Sequence, residues 1–162
     1  MTEARQLIEK LESKGLFIGL AESLTGGALC SELVSVPGAS KVVLGSIVAY
    51  QTGLKSSALG VSSELLNTVG AVDAEVSVQM AEGIRSRLAL QLLKNTDDVL
   101  GVSTTGVAGP DEQDGKPVGL VFISVVGRKG IQVWEEHFSG DRQSIRRQTV
   151  DKAIARIWEY LG

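Results

Sequence analysis

The sequence predicts a three-layer α/β/α sandwich around a mixed sheet. Three observations carry that prediction. Short β-branched runs alternate with segments whose apolar residues recur at helical spacing, the pattern of helices laid on both faces of a sheet. Two strand-like runs, "LVFISVV" and "IQVWEEHF", are separated only by "GRKG", too few residues for a crossover helix, so they pair as an antiparallel hairpin. Finally, no repeat, low-complexity linker or composition break interrupts the 162 residues, so residues 1–162 are expected to form one domain.

The elements follow in order. From about Glu3 to Lys14, apolar residues at Ala4, Leu7, Ile8 and Leu11 give helical spacing, and Gly15 stops the helix. "LFIGLA" reads as a buried strand. Ala28, Leu29, Leu33, Val34 and Val36 suggest a helix that ends before Pro37-Gly38, and "VVLGSIVAY" is a second, β-branched strand. "SSELLN" opens with Ser62 or Ser63 as a cap and forms a short helix. Asp73 caps a longer helix with Val76, Met80, Ile84 and Leu88 along one face. "DVLGVST" is the third strand, followed by the loop "TGVAGPDEQDGKPVG" and then the hairpin. Asp141 opens the last helix, with Ile145, Thr149, Ala153, Ile157 and Leu161 on its inner face.

Composition removes several functions. Hydrophobic residues are 43% and charged residues 22%, an ordinary globular balance. No apolar run approaches a membrane span of about 18 residues, so a cytoplasmic protein without signal peptide or membrane contact is expected. A net charge of −3 argues against nucleic-acid binding by bulk charge. One cysteine, Cys30, and one histidine, His137, exclude an internal disulfide and a zinc site of the usual kind. They also weaken a Ser-His-Asp reading, so an enzyme of this sequence needs another base.

Four segments carry chemistry. In "AESLTGG", Ser23 and Thr25 stand where a strand hands over to a helix, and the amides of Gly26 and Gly27 could meet a phosphate or an oxyanion. On spacing alone, a plain turn with a hydroxyl cap is the commoner arrangement. Lys55, in "YQTGLKSS", is a poor base at its free pKa near ~10.4 unless burial or a neighbouring cation lowers it. A solvated surface lysine is the bland alternative, and Tyr50 either relays a proton or caps the core edge. "TTGVAGP" leaves the same sheet edge as the first motif, so the two loops could hold a ribose phosphate between them. "FSGDRQSIRRQ" puts Arg142, Arg146 and Arg147 in the first turns of the last helix. Arg142 and Arg146 share a face suited to a phosphate or to solvent. His137 and Cys30 read as structural.

Together "AESLTGG", "VAYQTGLK", "GAVDAEV", "TTGVAGP", "KPVG" and "FSGDRQSIRRQ" closely resemble the CinA carboxy-terminal domain family, in its order and spacing, from about Gly15 to the end. The chain looks like the stand-alone form. The resemblance implies an α/β/α sandwich that hydrolyses the carboxamide of nicotinamide mononucleotide by a metal-independent Ser-Lys mechanism, with no cofactor. By matching motif, Ser23 is the implied nucleophile, Lys55 the base and Tyr50 a supporting residue. Thr25, Gly26, Gly27, Thr105, Gly106, Ala108 and Gly109 would line the nucleotide site, with Arg142 and Arg147 as further substrate contacts. The expected partner is a small-molecule nucleotide, and a homo-oligomer is left open.

Two departures bear on activity. Many family members read Tyr-Ser-Asn where this chain has Tyr50-Gln51-Thr52, and "GAVS" is "GAVD" here, with Asp73 in place of a serine. A carboxylate close to Lys55 would raise its pKa. Those changes keep two alternatives open: a non-catalytic nucleotide-binding or competence- and damage-response domain, and a Ser-Lys hydrolase of another amide.

Overall fold

A computed structural model of the chain describes residues 3–162. Its backbone runs α1 (Glu3–Ser13), β1 (Phe17–Glu22), α2 (Ala28–Val34), β2 (Val43–Val48), α3 (Thr52–Leu59), α4 (Ser63–Val69), α5 (Ala74–Gln91), β3 (Val99–Gly106), β4 (Leu120–Gly127), β5 (Gly130–His137) and α6 (Arg142–Leu161). The five strands form one mixed sheet in the order β2-β1-β3-β4-β5. β2, β1 and β3 are parallel, whereas β4 pairs antiparallel with β3 and β5 with β4. The hairpin turns through Arg128-Lys129 between the paired Gly127 and Gly130. Helices cover both faces, as the alternation of periods requires. Among the described residues no helix is long and apolar enough to cross a membrane.

Side-chain alternation along β1 explains the layering. Ile18 and Leu20 enter the larger core with Leu7 and Leu11 of α1, Leu29 and Leu33 of α2 and Ile145 and Ile157 of α6. Ala21 faces the other way, toward Leu59 of α3, Leu66 of α4 and Val76, Met80 and Ile84 of α5. That second face is made of small residues, so α5 lies very close to the sheet. A Cβ on Gly101 of β3 would sit 1.9 Å from the Ala81 carbonyl oxygen, and one on Gly83 of α5 would sit 1.8 Å from that of Leu59. The close seam is satisfied by hydroxyls: Ser124 donates to Ser77 Oγ at 2.8 Å, and Ser103 donates to the Ser77 carbonyl at 2.6 Å.

The caps fall where local sequence places them. Ser62 Oγ accepts from Leu65 N, Asp73 Oδ1 from Glu75 N and Asp141 Oδ1 from Ser144 N. Two sequence expectations change. The segment after Tyr50, to which no element was assigned, forms a helix, α3, over Thr52–Leu59. β3 runs on through Thr105 to Gly106, so the beginning of "TTGVAGP" is strand rather than loop.

Candidate active site

The parallel strands all end on one edge, where an α/β sheet gathers ligands. A cavity of about 250 Å³ opens there. Ser23 and Leu24 reach it from β1, Tyr50 from β2, Thr52 and Lys55 from α3, Thr105 to Gly109 from β3 and Arg142 from α6.

At its floor lie Ser23 and Lys55. Ser23 is 8% exposed and its amide donates to the Thr104 carbonyl at 2.9 Å, which fixes the residue to the end of the β1–β3 ladder. Only Lys55 and Leu59, one helical step of four apart, are buried on α3, and Lys55 is 1% exposed. Its Nζ donates to Ser23 Oγ at 2.9 Å and to the Ala49 carbonyl at 2.8 Å. Burial pushes the amine down from its ordinary 10.5 to about 8. An amine that is neutral at that distance has a lone pair able to accept a hydroxyl proton, the arrangement by which a base activates a hydroxyl. Asp73 plays no part in the lowered pKa: burial is its whole cause, and the Asp73 carboxylate caps α5. Thr52 lines the cavity as the first residue of α3.

Arg142 spans the mouth. Its Nη1 donates to the Gly109 carbonyl at 2.6 Å and its Nη2 to the Tyr50 hydroxyl at 2.8 Å, so one guanidinium joins the two loops. Tyr50 is thereby placed at the rim, 54% exposed. The Thr105 hydroxyl donates to the Ala71 carbonyl at 2.7 Å and can still accept from a ligand. Gly109 has φ +84, and a Cβ there would approach Val118 Cγ1 to 2.8 Å, so glycine is required on both counts.

The remaining sequence candidates are placed elsewhere. Thr25, Gly26 and Gly27 do not line the cavity. Thr25 is fully buried, with its hydroxyl 2.8 Å from that of Thr104. The Gly26 amide donates to the Ser23 carbonyl, and that of Gly27 donates to Glu22 Oε2 at 3.0 Å. The helix end expected to bind a ligand anion therefore already holds one, the carboxylate of Glu22, and the Gly26 and Gly27 amides are not available to an oxyanion. Arg147 is also corrected: it pairs with Glu32 at 3.1 Å and Asp151 at 3.0 Å on the outer surface of α6. Arg146, expected to share a face with Arg142, turns to the back of the Ser23–Gly27 loop, donating to the carbonyls of Leu24 and Thr25, each at 2.9 Å.

Sequence reading missed Glu22 and the amide of Leu24. The one available signal for Glu22 was a carboxylate at the end of an otherwise apolar strand. The Leu24 amide has no protein acceptor among the described residues, and Leu24 lines the cavity. Cys30 packs against the core with its thiol pushed up by burial, and His137 lies exposed beside Glu135.

Known proteins share this architecture. A family model described as CinA C-terminal domain matches residues 2–161. A putative competence-damage inducible protein of Desulforamulus reducens is 39% identical over 94% of this chain and 35% of its own length. A CinA-like protein of Frankia casuarinae is 42% identical over 94% and 33%. The chain thus spans about a third of the curated relatives it matches. Among solved structures, the competence/damage inducible protein CihA of Agrobacterium tumefaciens superposes with a TM-score of 0.87 at 34% identity, covering 97% of this chain and 92% of that one. A CinA superfamily protein of Klebsiella pneumoniae gives 0.88 at 26% identity, covering 98% and 95%. With matching sequence over nearly its whole length and the same fold, the chain belongs to the CinA C-terminal domain family.

Proposed function

We propose that this chain is a nicotinamide-nucleotide amidase, hydrolysing nicotinamide mononucleotide to nicotinate mononucleotide and ammonia. The observation that carries the reading is the buried amine–hydroxyl contact of 2.9 Å between Lys55 and Ser23 at the floor of the cavity. Neutral Lys55 takes the Ser23 proton as Oγ bonds to the carboxamide carbon, giving a tetrahedral oxyanion. The amide of Leu24, the residue after the nucleophile, is free to meet that oxygen, the geometry used by strand-to-helix nucleophile turns. Lys55 then returns the proton to the departing nitrogen, and ammonia leaves an acyl-serine. Water adds to the acyl carbon with Lys55 again as base, releasing the carboxylate and restoring the Ser23 hydroxyl. Arg142 supplies the cation for the 5′-phosphate at the mouth, and Thr105, Gly106, Ala108 and Gly109 line the nucleotide's path inward. Tyr50 orients Arg142.

The test is ammonia release from nicotinamide mononucleotide by purified protein, with and without chelator. One nicotinate mononucleotide per ammonia is expected, with no loss to chelator. The Ser23→Ala variant should give none while unfolding as cooperatively as the parent. Undiminished ammonia release from that variant overturns the assignment.

A further inference from the structure

We propose that Glu22 is the positioning residue that holds both members of the Ser23–Lys55 pair in register, an inference that rests on the Ser-Lys reading above. Glu22 is the only fully buried carboxylate among the described residues, and no cation pairs with it there. Burying such a group is costly unless every lone pair finds a donor. Here four donors meet it: Gly27 N and Leu29 N on Oε2, each at 3.0 Å, with Cys30 N at 2.9 Å and Ser46 Oγ at 3.1 Å on Oε1.

Capping alone does not need this arrangement. α4, α5 and α6 are capped by the residue just before each helix. α2 has no such local cap, and its amides are met from the preceding strand, five to eight residues back. The carboxylate therefore closes the Ser23–Gly27 loop like a clasp and ties it to β2 through Ser46. The Glu22 backbone reaches the other partner: its carbonyl accepts from Ala49 N at 2.8 Å, and the Ala49 carbonyl accepts from Lys55 Nζ at 2.8 Å. One residue thus fixes the hydroxyl by covalent adjacency and the amine through the intervening residue Ala49.

Loosening the clasp should cost rate rather than binding, since a misplacement of about 1 Å can cost on the order of 100-fold. It should also admit water to Lys55 and return its pKa toward the free value. The test is the rate at which a fluorophosphonate labels Ser23 across pH, read by mass spectrometry on the full chain, for the parent, Glu22→Gln and Glu22→Asp. Gln is isosteric but turns an NH2 toward donors. Asp keeps the charge and shortens the reach, so a charge effect alone would spare it.

The parent rate should climb to a plateau with a midpoint near 8. Both variants should label at least about tenfold more slowly, with the midpoint moved upward, and should lower kcat for the mononucleotide with KM within about twofold. A folded variant that labels at the parent rate and midpoint overturns the proposal, and so does failure of both variants to fold. A parent never labelled at Ser23 sinks the Ser-Lys reading and this role together. A labelled parent that releases no ammonia sinks only the substrate assignment, and Glu22 is still judged by labelling.

Discussion

Replacing Lys55 with methionine should silence the protein and reverse its stability order with pH. The amine is pushed down from 10.5 to about 8 in the folded chain. At pH 7 both states bind its proton, and holding the charge in the buried site costs ~3 kcal/mol. Between about 8 and 10.5 the unfolded chain binds more protons than the folded one, so stability rises with pH through that window. At pH 10 the cost has fallen below ~1 kcal/mol. Methionine removes this cost at every pH, but it also deletes the hydrogen bonds to Ser23 Oγ and the Ala49 carbonyl. Those are worth ~1 kcal/mol each. Lys55→Met should therefore be more stable than the parent by ~1 kcal/mol at pH 7, or ~2–4 °C in Tm, and less stable by about the same amount at pH 10. Urea denaturation of both proteins at the two pH values measures the difference, in which other titrating groups cancel. Ammonia release should be absent from the variant throughout. A stability difference that is flat between pH 7 and pH 10, or a variant that still turns over, refutes the account of Lys55 as a desolvated base.

Other outcomes follow from the same geometry. The parent kcat/KM should rise about tenfold per pH unit below about 8 and then level off, because only the neutral amine can take the Ser23 proton; a profile flat from pH 6 to 9 contradicts this. Arg142→Ala should raise KM for the mononucleotide by about 10- to 150-fold, the loss of a charge-assisted contact of ~1.5–3 kcal/mol. Arg147→Ala, in an exposed pairing with Glu32 and Asp151, should leave KM unchanged. Steady-state kinetics on the two variants separate the arginines. Arg146→Ala removes both donors from the Leu24 and Thr25 carbonyls, so kcat should fall with little change in KM; a raised KM alone would mean that Arg146 reaches the substrate.

Most of the architecture was legible because it is written in local periods. Ala4, Leu7, Ile8 and Leu11 announced α1, the β-branched runs announced the strands, and the Ser62-Ser63 pair, Asp73 and Asp141 announced their helices as side-chain caps, Ser62 being the serine that caps α4. α3 was not legible for a physical reason tied to the site itself. One of its two inward positions is a lysine, Lys55, so the apolar spacing that signals a helix is broken at the cavity. The TGG segment misled in a related way. Glycine amides at a helix start do mark an anion site, yet sequence cannot say whether the anion comes from outside or, as with Glu22, from the same chain.

The sequence by itself determined the layered sheet and brought two hydroxyl- and glycine-bearing segments to one edge, and its single histidine weakened a Ser-His-Asp reading. Only tertiary structure decided that Lys55 is buried against Ser23 across 32 positions, that Arg142 rather than Arg147 faces the cavity, and that Arg146 braces the loop from behind. The difference is one of range. Periodicity and capping act within a few residues, whereas the pKa of Lys55 is lowered by burial among elements distant in the chain.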